Sequence, residues 1–361
     1  MGCMPTVAML LVQIGFAGMN LLSKMALDNG MSPYVLVAYR SLVAAVFLAP
    51  LAVYFERDMW KLMTKKVTIE IILSSSLGMT LCELLFFVGF QSTSATVASA
   101  IVNIVPALTF AIAAALKMEP FRPRTAASQA KVIGTVVCVG GSMVMPFYKG
   151  PQLKLWDSPI HWHYAEHAVA AAAPAPASSA VGDVLIILSA VSWAGWLLMT
   201  NKTSESFPAP YTSTTIMSLI VGVECGAVSA AVDRSLSAWS LGLGIRLYSV
   251  LYMGIIGWGV TFAVMTWCIQ VRGPLFVSMF SPVVLVVVAL LGWAFLDEKL
   301  HLGSAIGAVL IVVGLYMVLW GKGREIISRP AQLHGNRASK EGLGSKENDA
   351  ENGGDAEILV V

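Results

Sequence analysis

Four ionisable side chains stand inside long apolar runs of this sequence: Lys24, Arg40, Glu83 and Glu224. A charge in hydrocarbon is expensive, and such groups face a bundle interior or a wet cavity. Each therefore offers chemistry of binding and carrying. Lys24 can attract a carboxylate, or its stem can snorkel to the surface at the helix end. Arg40 can grip a carboxylate with two parallel N–H groups, or act as the structural partner of Asp28 or Glu83. Glu83, taken out of water, is a candidate proton carrier; the alternatives are a permanent pair with Arg40 or Lys24, or a neutral hydrogen-bonded carboxyl. Glu224 offers the same choice. It sits in Gly222-Val-Glu-Cys-Gly226, a small-xxx-small pattern that marks a close helix contact.

Neutral groups extend the pattern. Gln13, Ala17, Asn20 and Lys24 are spaced four, three and four apart, which puts them on one helical face. Pro106 and Pro282 interrupt two helices at corresponding places, with Asn103 a turn before the first and Ser278 and Ser281 beside the second. Paired breaks of this kind free backbone carbonyls near the midplane of a carrier. Trp193, Trp196, Trp258 and Trp267 can stack on an aromatic solute or simply pack and anchor. The sequence has no HExxH, no GxSxG, no His within an apolar run and no Walker A pattern, so neither an enzyme nor a direct user of ATP is expected. The five cysteines form no CxxC pair. His161, His163 and His167 lie in a linker-like stretch, and no metal or other cofactor is expected.

Ten apolar stretches of spanning length must position these residues: 5–27, 33–54, 68–90, 95–116, 128–148, 182–201, 210–232, 246–268, 274–296 and 301–321. Hydrophobic residues make up 57% of the 361 positions and charged residues 12%, far too apolar a balance for a water-soluble surface. Hydrocarbon leaves no partner for a free backbone group, so each stretch is expected to be helical. A net charge of +2 points to no nucleic-acid partner; the lipid bilayer is the expected surrounding.

With the N-terminus in the cytosol, the inner loops and tail hold sixteen basic residues, Lys131 among them, and the outer loops five. That asymmetry predicts both termini inside. Residues 149–181 read as an extracytoplasmic linker with an Ala/Pro-rich stretch, and 322–361 as a disordered cytoplasmic tail. The membrane regions are then 5–148 and 182–321.

These two regions repeat one another. Ile101-Val-Asn-Ile-Val-Pro106 corresponds to Val277-Ser-Met-Phe-Ser-Pro282. Each is followed by an apolar stretch ending at an acid, Glu119 or Glu298, and then by a helix rich in glycine: Gly134, Gly140 and Gly141 in one, Gly303, Gly307 and Gly314 in the other. Five spans per half is an odd number, so the second half enters from the opposite side. Inverted repeats are a common plan for secondary transporters.

The chain resembles the plant Walls-Are-Thin-related proteins, the nodulin-21-like, EamA-type UMAMIT family of the drug/metabolite transporter superfamily. The resemblance rests on Ala17-Gly-Met-Asn20-Leu-Leu-Ser-Lys24, Pro33-Tyr-Val-Leu-Val-Ala-Tyr-Arg40, Thr93-Ser-Ala-Thr96 through Asn103 and Pro106, Ser128-Gln-Ala-Lys131, Ser192-Trp193, Arg272 through Pro282, and Glu298-Lys-Leu through Gly314. It implies an all-α integral membrane fold of ten helices in two inverted five-helix EamA-type repeats. It further implies transport of a small solute, an amino acid or an auxin-like indole, in the plasma or vacuolar membrane. Glycine-rich helices also permit a homo-oligomer. One departure stands in the third span: many relatives carry an acidic-Gln-Asn run where this chain has Cys82-Glu83-Leu84, which bears on selectivity or coupling if that run touches solute.

Overall fold

The computed structural model describes residues 4–93, 95–119, 124–148, 150–152, 179–232, 239–241, 244–296 and 301–324. Ten helices in it are long and apolar enough to cross a membrane: α1 (Met4–Leu27), α2 (Pro33–Phe55), α3 (Lys65–Phe90), α4 (Val97–Ala115), α5 (Ala126–Phe147), α6 (Ala180–Ser206), α7 (Pro210–Val232), α8 (Ile245–Arg272), α9 (Pro274–Leu291) and α10 (Leu302–Arg324). No strand occurs among the described residues beyond one isolated bridge, Gln152 to His301. An even number of spans brings the start of α1 and the end of α10 to one end of the bundle, here the termini end. His161, His163, His167 and Glu298, with most of the expected linker and the tail beyond 324, lie outside the described residues.

Local chemistry sets where the helices begin. Thr64 precedes α3 and accepts a hydrogen bond from the Val67 amide, so the helix starts at Lys65, earlier than hydropathy suggests. Thr125 and Ser179 cap α5 and α6 through the amides of Ser128 and Gly182. Between α8 and α9 the chain reverses at Gly273, whose φ of 85° is open only to glycine at low cost, and Pro274 supplies a preset φ for the next helix. Glu56, buried just after α2, accepts from the amides of Tyr211 and Thr212 and from the Thr212 hydroxyl, at 2.7–2.9 Å. It satisfies the first free N–H groups of α7 and pins the ends of α2 and α7 together.

The two halves carry matching irregularities. A π-helical segment interrupts α3 at Ser74–Thr80 and α8 at Met253–Val260. α4 breaks at 103–104 and α9 at 279–282. Each π segment brings a glycine against the first helix of the other half. A Cβ on Gly78 would stand 2.7 Å from Trp196 Cβ, and one on Gly257 would stand 3.0 Å from Met19 Sδ. The fifth helices close the symmetry. A Cβ on Gly134 would meet the Gly314 carbonyl oxygen at 2.7 Å, and one on Gly307 would meet that of Gly141 at 2.7 Å. Lipid tails are as apolar as leucine, so such close van der Waals contact, rather than exclusion from water, holds the helices together.

Candidate functional site: an ion pair beyond a hydroxyl-lined cavity

Arg40 on α2 and Glu83 on α3 both lie about two turns in from the end of the bundle opposite the termini. They meet at 2.6 Å, Nη2 to Oε1, with side-chain exposures of 5% and 16%. Of the two structural partners that the sequence offers Arg40, Glu83 is in contact; the Asp28 side chain lies outside the described residues. The guanidinium also lies over the Trp258 ring of α8, with Cζ 4.5 Å from the ring centre, a cation–π contact. The pair is incompletely satisfied: Arg40 Nε and Trp258 Nε1 are buried without a hydrogen-bond partner. The Cys82-Glu83-Leu84 departure therefore falls on a charged group inside the bundle.

Glu224 on α7 has a different environment. Ser76, within the π segment of α3, donates to its Oε1 at 2.6 Å. Its Oε2 is buried with no partner. No ion pair to Glu224 occurs among the described residues.

Toward the termini end, aromatic rings follow. Trp258 packs on Phe262 at 4.3 Å between ring centres, Phe262 on Trp196 at 5.3 Å and on Trp193 at 5.9 Å, and Phe16 of α1 joins at 5.8 Å. Trp196 and Trp258 are fully buried and Trp193 half-buried. Trp267 is a half-buried member of the same apolar core.

Trp196 is also one wall of a small, open-mouthed cavity of about 30 Å³ between α3, α6, α7 and α8. Eight of its eleven lining residues carry hydroxyls: Ser74, Ser75, Thr200, Thr203, Ser204, Ser213, Thr214 and Thr266. None is charged. Ser75 satisfies itself on the Ile71 carbonyl, whereas the Thr214 hydroxyl is buried and unpartnered. From the termini end inward, the bundle thus presents a neutral hydroxyl lining, then a ring stack, then a buried ion pair.

The remaining expected residues divide. Asn103, Pro106, Ser278 and Pro282 are buried, Ser281 half-buried, and the first piece of α9 packs against the second piece of α4, so the two breaks are neighbours. Asn103 Nδ2 is unpartnered, while Ser278 donates to the Leu275 carbonyl at 3.0 Å. No hydrogen bond links this group to Arg40, Glu83 or Glu224 among the described residues. On α1, Gln13 and Ala17 are buried but Asn20 is exposed; the Lys24 side chain lies outside the described residues.

Two features escape sequence reasoning. The cavity hydroxyls belong to residue types common in membrane helices, and only the i, i+3, i+4 spacing of Thr200, Thr203 and Ser204 hints at a shared face. Lys131, counted above as an inner-loop charge, is instead fully buried in α5. It pairs with Glu119 at 3.2 Å, whose other oxygen meets Lys322 at 3.2 Å; Lys322 also donates to the Arg272 carbonyl at 2.9 Å. No group of His, Cys, Asp and Glu suited to a metal ion occurs among the described residues.

The EamA-like transporter family profile matches residues 4–146 and 180–320. A WAT1-related protein of Arabidopsis thaliana is 40% identical over 92% of this chain and 94% of its own, and a second is 38% identical over 89% and 83%. The Arabidopsis protein WALLS ARE THIN 1 is 36% identical over 88% of this chain and 83% of its own. A solved crystal structure superposes with a TM-score of 0.63 at 17% identity, over 85% of this chain and 96% of that one, a likeness of fold alone.

Proposed function

The chain belongs to the EamA-like transporter family, a family of multi-pass membrane transporters, and from that premise we propose that its solute is a small α-amino acid. The observation that carries this is the Arg40–Glu83 pair, 2.6 Å apart inside the bundle and beside the Trp258 ring. Separating such a pair leaves two uncompensated charges, at a cost of several kcal/mol. A zwitterion brings one opposite charge to each: carboxylate to Arg40, ammonium to Glu83. A monoanion such as an indole carboxylate answers Arg40 and strands Glu83. The uncharged hydroxyl lining of the cavity suits the same solute, which is neutral overall and rich in hydrogen bonds.

The aromatic cluster of Trp193, Trp196, Trp258 and Phe262 favours a second reading, an indole acid stacked on the rings. Uptake of radiolabelled neutral amino acids and of indole-3-acetate into proteoliposomes separates the two. The amino-acid reading expects competition by free amino acids and none by their amides or N-acetyl derivatives, each of which lacks one charge. Transport of indole-3-acetate without transport of any amino acid overturns it. We further place both termini in the cytosol, in the plasma or vacuolar membrane. A tag on the tail that becomes protease-accessible only after the membrane is permeabilised supports that orientation in the plasma membrane. Access from the outside of intact cells refutes it.

A further inference from the structure

Glu83 and Glu224 are acids set well inside the spans α3 and α7, and they are held in opposite ways. Glu83 sits on a guanidinium at 2.6 Å, so its negative charge is matched where it stands. Glu224 has one hydroxyl donor, Ser76, on Oε1, and its Oε2 is buried facing no donor. A buried carboxylate needs donors on both oxygens or a cation beside it, and Glu224 has neither. A carboxylic acid needs less. Its carbonyl oxygen accepts from Ser76, and its own O–H occupies the oxygen that has no partner.

We infer that Glu224 is the proton-exchanging carboxyl of the transport cycle and that Glu83 is not. The inference rests on the transporter reading but not on the identity of the solute. In the step itself, Glu224 takes a proton from water admitted from one side and later returns it to water on the other. The carboxyl alternates between acid and carboxylate, and no other bond changes.

The surroundings decide when it can let go. α7 packs against α2, α3 and α8. Along α2 the charged residue is Arg40, and its other titratable groups are Tyr34, Tyr39 and Tyr54; along α3 they are Lys65, Lys66, Glu70, Cys82 and Glu83. Between Arg246 and Arg272, α8 has no Asp, Glu, Lys, Arg or His, and its titratable groups are Tyr248, Tyr252 and Cys268. On α7 itself Cys225 is adjacent. Among the described residues of α2, α3 and α8 at this depth, Arg40 is therefore the cation at hand, and while Glu83 holds it, the Glu224 anion has no counter-charge. Movement at the π segment that carries Ser76 changes the one hydrogen bond Glu224 has. Such segments recur where helices must shift.

The test is pH-difference infrared spectroscopy on the purified full chain in lipid, with Glu224→Gln, Glu83→Gln and Ser76→Ala compared to the parent. The expected result is a protonated-carboxyl C=O band that disappears in Glu224→Gln, persists in Glu83→Gln and moves in frequency in Ser76→Ala. The Ser76→Ala shift keeps the assignment testable should Glu224→Gln fold poorly. In proteoliposomes with an imposed pH gradient, solute flux remaining in Glu224→Gln no longer responds to the gradient, a loss of at least about tenfold in accumulation for roughly 1.4 kcal/mol of lost driving force. A band unchanged in Glu224→Gln, or lost in Glu83→Gln, overturns the assignment. Solute movement that ignores the pH gradient in the parent also overturns it while leaving the transporter reading intact. Absence of any solute movement, with the infrared result as expected, overturns the solute class alone.

Discussion

Arg40 is held between an acid and a ring: Glu83 at 2.6 Å on one side and the Trp258 face at 4.5 Å on the other. The arginine is thereby preorganised, with little rotamer freedom left to lose.

Removing one member of the pair is expected to strand the other. Arg40→Ala or Glu83→Ala alone should lower stability by about 3–5 kcal/mol, and Arg40→Met with Glu83→Leu should recover most of that loss. Thermal unfolding in detergent measures this. Transport should be absent in all three. A stable double variant that still carries solute would make the pair purely structural.

Thr214 separates binding from folding. Its hydroxyl has no protein partner, so Thr214→Val should leave the unfolding temperature unchanged or raised. If the hydroxyl serves solute, half-saturation should rise about fivefold, the worth of one hydrogen bond of roughly 1 kcal/mol. Unchanged half-saturation would remove the cavity from the pathway.

At the termini end, Glu119 is shared by two buried ammonium groups. Glu119→Ala should cost about 3–5 kcal/mol, and Glu119→Gln less, because an amide oxygen still accepts. Loss of folded protein in Glu119→Ala, with partial recovery in Glu119→Gln by size-exclusion profile, is the expected outcome. Equal stability in all three proteins would deny the cluster any structural part.

Glycines along α5 should respond by face. Gly140 has open space around it, so Gly140→Ala should be neutral or slightly stabilising. A Cβ at Gly314 would stand 2.5 Å from the Cys138 amide nitrogen, and Gly314→Ala should cost about 1–3 kcal/mol or more through forced separation of α5 and α10. Unfolding temperatures of the two variants check this directly.

How much of this is legible in the sequence follows from which physics each feature uses. The ten spans come from hydrocarbon's demand for apolar length, a one-dimensional signal. Arg40 and Glu83 stand at matching depths in adjacent spans, so their pairing is among the readings that depth alone allows. The Ser76–Glu224 bond is not legible, because one serine among Ser74, Ser75 and Ser76 carries no mark. The π segments are silent too: hydropathy averages over turns and does not register a widened one. Lys131 is miscounted because a basic residue near a helix end looks solvated until the fold places Glu119 and α10 over it. The glycines of α5 and α10 stand out as a group, but which of them touch depends on rotation. Thus Gly134 and Gly141 meet α10 and Gly140, one residue away, faces outward.

The α5–α10 seam also has a mechanical meaning. At its four glycines backbone lies close on backbone, with a carbonyl of each helix near where the other would carry a Cβ. Such close-fitted surfaces resist sliding, so the last helices of the two halves are expected to move as one shaft. Any rocking in such a design would fall to the helices mounted around that axle, with the π turns of α3 and α8 as the places to bend.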